Sequence, residues 1–183
     1  MRVITGTARG TRLRTVKGGG TRPTSDRVKE ALFSILASRV VGARFLDLFS
    51  GTGAIAIEAL SRGAQTAVLV EKNRRALATI RENLRLTKVE DKATVMGIDV
   101  DKALRILGKE AAVFDIIFMD PPYQLDCVPD LVGLIHSEGL LCPDGLVVCE
   151  QESGTGLPQA IGDLTLTRTQ TYGDTELYFY QYQ

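Results

Sequence analysis

Phe45-Leu46-Asp47-Leu48-Phe49-Ser50-Gly51-Thr52-Gly53 carries an apolar, strand-like run into a glycine turn, and Ala54 to Arg62 continues it as a helical segment that Gly63 ends. A strand, a glycine turn and a helix amino terminus leave backbone amides free to face a polar ligand. Gly-x-Gly alone would suit a plain turn nearly as well, so its surroundings decide. From residue 44 onward, strand-like runs at 44–49, 66–70, 92–96, 114–119 and 145–150 alternate with helical patterns at 53–62, 73–86, 100–107 and 127–137. That alternation predicts right-handed βαβ crossovers and a mostly parallel sheet with helices on both faces. Residues 164–171 and 176–182 alternate differently, around Tyr172-Gly173-Asp174-Thr175, and predict an antiparallel hairpin at the sheet edge.

In such a sheet, ligands bind at the carboxyl ends of the strands, and three of those ends carry acids. Leu69-Val70-Glu71 ends the second strand where a carboxylate can accept from both hydroxyls of a ribose, although an exposed strand-end Glu is common. Gly97-Ile98-Asp99-Val100 ends the third, where Asp99 can accept from an adenine amine or cap the helix beside it. Phe114-Asp115-Ile116-Ile117-Phe118-Met119 runs into Asp120-Pro121-Pro122-Tyr123. Two prolines lack amide hydrogens and have fixed φ, so the strand stops there and an acid and an aromatic sit on a stiff loop. A carboxylate, fixed carbonyls and an aromatic face suit a flat polar group such as a nucleobase amine. A dinucleotide is the competing ligand, but Ala56 occupies the third glycine position of that fingerprint. A hydride-transfer enzyme also has no evident use for the Asp120 motif.

The 183 residues suit one domain, which at this size buries roughly 70% of its unfolded surface. A hydrophobic content of 44% against 24% charged residues excludes disordered and fibrous classes. The apolar runs are too short to cross a bilayer and Met1-Arg2-Val3-Ile4-Thr5-Gly6 has no apolar signal core, which predicts a cytoplasmic protein with no membrane partner. Cys127, Cys142 and Cys149 lack metal-ligand spacing and are read as reduced, packed thiols. His136 is the only histidine, so no histidine metal cluster is possible, and its place near a helix end suggests a capping or surface role.

The formal charge is zero, yet residues 1–30 hold eight basic and two acidic residues, a net of +6, while the other 153 hold 14 basic and 20 acidic, a net of −6. The asymmetry predicts a polyanion at the amino-terminal segment, against the alternative of a solvated basic hairpin. Two short strands, 2–5 and 11–16, are expected to form a hairpin, and Arg12-Leu13-Arg14 would make one face cationic. Gly18-Gly19-Gly20 reads as a flexible joint, and Thr24 or Ser25 can cap an amphipathic helix that runs to about Ser38.

With Asp47 to Gly53, Glu71, Asp99 and Asp120 to Tyr123 in this order, the chain resembles the S-adenosylmethionine-dependent class I methyltransferases, in the branch that methylates exocyclic amines. Met1 to Gly6, Arg22-Pro23-Thr24 through Phe33, Asp47 to Ala64 and Tyr172 to Thr175 look more closely like the RsmD family, over nearly the whole chain. The resemblance implies a Rossmann-like sheet of seven strands, mostly parallel with the last antiparallel, preceded by a small basic β-hairpin. It divides the chain into an arm, residues 1–20, and a methyltransferase domain, residues 21–183. It implies S-adenosyl-L-methionine as cofactor, held by Arg22, Pro23, Thr24, Asp47, Ser50, Gly51, Thr52, Gly53, Glu71, Asp99, Val100 and Asp120. It implies catalysis by Asp120, Pro121, Pro122 and Tyr123 without a metal, on N2 of a guanine in 16S ribosomal RNA. The small ribosomal subunit or an assembly intermediate would be the partner, with no obligate protein partner. Arg2, Arg9, Arg12, Arg14, Lys17 and Arg27 are the expected RNA contacts. Asp-Pro-Pro-Tyr does not itself distinguish amines, so an adenine-N6 methyltransferase is the alternative, and a nucleotide-dependent oxidoreductase or a non-catalytic RNA-binding protein are more distant ones.

Overall fold

The structure, a computed structural model, describes residues 1–16, 26–122 and 127–183. Its strands are β1 (Arg44–Leu48), β2 (Thr66–Val70), β3 (Ala93–Met96), β4 (Phe114–Met119), β5 (Leu141–Glu152), β6 (Ala160–Ile161), β7 (Leu164–Tyr172) and β8 (Thr175–Tyr182). The α-helices are α1 (Asp26–Leu36), α2 (Ala54–Ser61), α3 (Arg74–Thr87), α4 (Val100–Lys109) and α5 (Val128–Ser137). One sheet orders the strands β3-β2-β1-β4-β5-β8-β7-β6. The pairs from β3 to β5 are parallel, and β8 runs antiparallel between β5 and β7.

Side-chain alternation along the strands makes two cores. Phe45, Leu69, Ile116, Phe118 and Val148 face α1, α2 and α3, while Leu46, Leu48, Val70, Ile117 and Met119 face α4 and α5. Each fully buried side chain of this size contributes roughly 1.5–3 kcal/mol of transfer free energy, so both faces are needed to hold the sheet. The chain winds outward from β1 through β2 to β3, then returns to β4 beside β1. The topological switch point therefore lies between the carboxyl ends of β1 and β4.

Three expectations are corrected. The count is eight strands, because the two-residue β6 adds an edge pairing with β7 that no hydrophobic alternation announces. Strand β5 starts at Leu141, several residues early, and a register irregularity between Phe114 and Ile116 absorbs the extra length. The amino-terminal strands reduce to one bridge, Arg2 with Arg12. Ile4 and Thr5 send their amides to the Glu58 carboxylate (2.8 and 3.0 Å) instead of across a hairpin. Residues 1–16 fold back on themselves nonetheless, with Val3 N donating to Thr11 O at 3.0 Å and Gly10 N to Val3 O at 2.9 Å.

This arm is docked on the body, with Val3, Ala8 and Leu13 buried in the core shared with α1 to α3. At Gly6 the backbone passes so close to α2 that a Cβ would lie 1.7 Å from Ser61 O, at φ +90°. Thr7 N and Ala8 N donate to Ser61 O and Oγ at 2.9 and 3.0 Å. Lys29, one of the eight basic residues in the amino-terminal charge excess, is buried, with Nζ 2.5 Å from Arg2 O and 3.5 Å from Glu58 Oε2. Its pKa is lowered by burial, with Glu58 opposing the shift. The three cysteines are free, and burial pushes the Cys149 thiol up. His136 lies in the last turn of α5, its Nδ1 3.5 Å from the Tyr182 hydroxyl. Among the described residues no helix is long and apolar enough to cross a membrane, and no group of His, Cys, Asp and Glu could hold a metal ion.

Candidate active site

β1 and β4 are neighbours in register, Leu48 opposite Met119, so whatever follows each strand meets at the switch point. Phe49 to Gly53 follows β1 and Asp120-Pro121-Pro122 follows β4, whose ladder ends at Met119 as the prolines demand. Phe49 begins its loop at φ +62°, a conformation that strains a bulky residue. Gly53 at φ +77° ends it as the residue before α2; a Cβ there would sit 3.1 Å from Leu69 Cδ2 and 3.4 Å from Ile80 Cγ1. Glycine is thus required by both conformation and close packing.

The acids are arranged in depth. Asp47 lies beneath the loop, 1% exposed, and its Oδ2 accepts from Ala56 N in the first turn of α2 at 3.2 Å. Ser50 Oγ donates to Asp47 O at 2.7 Å. Glu71 braces the loop from β2, one oxygen accepting from Gly51 N at 2.9 Å and the other from Asn73 N at 2.8 Å. Asp99 accepts from Asp101 N at 3.3 Å, capping α4, and lies 3.2 Å from Lys72 Nζ. The Lys72 ammonium holds the Asp99 carboxyl below its usual range. Val100, the first residue of α4, is 7% exposed and packs into the core with its side chain. Asp120 and Pro122 keep accessible surface while Pro121 is buried.

Burial pushes the Asp47 carboxyl up to about 8, the nearby Glu71 charge adding to the shift. Burial and then the Asp47 charge push Asp120 up to about 7. The two acids titrate as a linked pair. Between pH about 4 and 8 the folded state therefore retains a proton at Asp47 that the unfolded chain releases, so this site's contribution to stability falls as pH rises. Asp47→Asn removes the ionisation and keeps an oxygen for Ala56 N. The difference in melting temperature, variant minus parent, is expected to grow from pH 4 to pH 8; a constant or shrinking difference would show that Asp47 ionises freely.

Arg22, Pro23, Thr24, Lys17 and Tyr123 lie outside the described residues. Of the other predicted cofactor residues, Asp47, Ser50 to Gly53 and Asp120 lie at the ends of β1 and β4, Glu71 reaches that loop from the end of β2, and Asp99 and Val100 stand two strands away after β3; the predicted RNA contacts Arg2, Arg9, Arg12, Arg14 and Arg27 are all exposed. Sequence reasoning missed Asn83, which is fully buried on α3. Its Oδ1 accepts from Arg14 N at 2.7 Å, and its Nδ2 donates to Arg14 O at 3.1 Å and Thr52 O at 2.9 Å, joining arm, helix and glycine loop. A polar residue beside the apolar stripe of Ala76, Leu77, Ile80 and Leu84 is the available signal. A groove of about 490 Å³ lined in part by Arg39, Asp115 and Cys142 lies at the opposite, amino-terminal edge of the sheet. There the paired Arg44 guanidinium holds Asp115 down to about 2.

The family described as Conserved hypothetical protein 95 matches residues 1–181, nearly the entire chain. The chain belongs to this family. Ribosomal RNA small subunit methyltransferase D of Escherichia coli (strain K12) is 34% identical to it over 181 residues, covering 99% of this chain and 89% of its own. The protein of the same name from Haemophilus influenzae is 31% identical, covering 99% and 93%. The RsmD resemblance and the family assignment thus coincide. Among solved structures, yhhF from Escherichia coli, which carries a provisional methyltransferase description, superposes with a TM-score of 0.86 at 33% identity, over 100% of this chain and 98% of that one. A hypothetical protein from a Thermus species matches equally, TM-score 0.86 at 33% identity over 99% of both chains. The fold is the Rossmann-like class I methyltransferase sheet, with the antiparallel strand β8 inserted beside β5.

Proposed function

We propose that this protein is an S-adenosyl-L-methionine-dependent methyltransferase that modifies the exocyclic N2 of a guanine in 16S ribosomal RNA. The observation that carries this reading is Asp120. It stands at the switch point on a proline-stiffened loop, accessible, with a carboxyl poised near neutrality beside the glycine loop. The relatives from Escherichia coli and Haemophilus influenzae are named as small-subunit ribosomal RNA methyltransferases. A solved structure complexed with S-adenosylhomocysteine, 16% identical, shares the fold with a TM-score of 0.69 over 85% of this chain.

The residues fit the cofactor. Each Glu71 oxygen accepts one backbone amide and keeps capacity for another donor, which suits a ribose diol. Above Gly51 a Cβ would meet nothing nearer than Phe49 O at 4.0 Å, so the loop faces open space. The stacked acids Asp47 and Asp120 favour a ligand bearing positive charge, which lowers the free energy of their ionised forms. When bound, S-adenosyl-L-methionine supplies an electrophilic methyl group.

The chain's own residues prepare the amine. Guanine N2 is a poor nucleophile because its lone pair is delocalised into the ring. Asp120 and the Pro121 carbonyl, accepting its two hydrogens, let the nitrogen rehybridise and free that lone pair. Asp120 then takes the proton the amine gives up, so positioning and proton acceptance come from one rigid element. Tyr123 stacks on the base, a contact worth roughly 1–3 kcal/mol. The arm, residues 1–20, meets the RNA of a small subunit or assembly intermediate in the cytoplasm, and residues 21–183 carry the chemistry.

The test is transfer of labelled methyl to small subunits lacking the modification, followed by nucleoside analysis. Label in N2-methylguanosine is expected. Label in N6-methyladenosine would redirect the reading to adenine, and no transfer would end it.

A further inference from the structure

Helix α3 carries a row of cations that the chemistry above leaves unused. Arg74, Arg81 and Arg85 are exposed and recur at i, i+7 and i+11, and the exposed Lys88 follows as the left-handed residue that ends the helix. At 3.6 residues per turn and 1.5 Å per residue the three arginines stay on one side of the helix over about 17 Å. Among the described residues no carboxylate lies within ion-pair distance of them.

Helix energetics explain only part of the row. Arg85 and Lys88 sit where the negative end of the helix dipole favours cations. Arg74 and its neighbour Arg75 occupy the first turn, which contains no acid, where the dipole disfavours them; Arg81 is mid-helix and gains nothing from either end. Helix stability alone does not account for these positions.

The basic arm is fastened alongside. Arg14 Nε lies 3.0 Å from Glu82 Oε1, and the Arg14 backbone is gripped on both sides by the buried Asn83 side chain. Asn83 also bonds to Thr52 O in the glycine loop, so the Arg14 end of the arm and α3 are held together at a fixed place relative to the catalytic edge. A rigid row of unpaired cations at this scale fits a phosphodiester backbone.

We propose that the RNA-binding face extends from the arm across the outer side of α3, with Arg81 and Arg85 contacting backbone phosphates. This rests on the ribosomal RNA reading above. The test compares full-length Arg81→Glu/Arg85→Glu and Arg9→Glu/Arg12→Glu variants in binding to a transcribed 16S RNA fragment between 50 and 200 mM salt. The α3 variant is expected to bind at least about tenfold more weakly at the low-salt end and to flatten the log–log salt slope by about 2. Its melting temperature and its affinity for S-adenosylhomocysteine without RNA should match the parent. Arg81→Lys/Arg85→Lys, which keeps the charge, should retain most of the affinity; equal loss in that variant would overturn a phosphate role. Weakening in the arm variant with none in the α3 variant overturns the extension and leaves the ribosomal RNA reading standing. Unchanged binding in both overturns the extension and the arm's role together.

Discussion

Asp120→Asn is expected to lower kcat/KM for methyl transfer by about 10²- to 10⁴-fold, the usual range for a positioned general base, while changing S-adenosylhomocysteine affinity far less. Asn keeps one oxygen acceptor and the loop geometry, so the loss isolates proton acceptance from placement. The parent enzyme's pH profile supplies an independent readout. Burial and the Asp47 charge raise Asp120 to about 7, so the acceptor form is scarce below neutrality. The kcat/KM of the free enzyme should therefore rise with pH up to about 7 and then level off. In the variant that rising limb should disappear. Retention of both the rate and the limb would mean that another group accepts the proton and that the loop after β4 serves only to shape the pocket.

Much of this site can be read from the sequence because its parts are punctuation. Prolines fix the end of β4 and the glycines fix the turn after β1, so both loops can be placed without tertiary information. The alternation from residue 44 onward likewise gives the parallel strands, since each buried strand is a short apolar run and each helix a 3.6-residue pattern. Where backbone polar groups find side-chain partners is not legible in this way. Nothing in Met1 to Thr5 reveals that two of its amides are taken by Glu58, so the pattern predicts a regular hairpin where only one bridge forms. Lys29 counts toward the amino-terminal charge excess because sequence charge carries no burial. Asn83 and Glu58 do leave a trace, each interrupting an otherwise buried helix face, and a polar residue in such a place must be satisfied by something distant.

Glu58→Ala is expected to be the most destabilising single change on the arm side, lowering the melting temperature by roughly 6–20 °C. Glu58 is fully buried and gathers Ile4 N, Thr5 N, Arg62 Nε at 2.8 Å and Lys29 Nζ at 3.5 Å. Its removal strands a buried ammonium and two arm amides, and breaking a buried pair from one side costs about 3–5 kcal/mol. At about 2–4 °C per kcal/mol for a chain of this length, the melting shift follows. Asp26, 3.8 Å from Lys29 and half exposed, is a solvent-screened partner that offsets only part of this cost. The pH dependence has a definite sign. Burial already lowers the Lys29 pKa with Glu58 opposing, so without Glu58 it falls further. The folded variant then bears the cost of a lone charge at neutral pH and sheds it as Lys29 deprotonates, so the deficit relative to the parent should be wider at pH 6 than at pH 9. Lys29→Met in the Glu58→Gln background removes both charges while leaving an oxygen for one arm amide, and should recover most of the lost stability. Thermal melts of the three proteins at both pH values test this. A Glu58→Ala deficit that stays under about 2 °C would show that water reaches Lys29 and that the arm is held by Ser61, Asn83 and its apolar contacts alone.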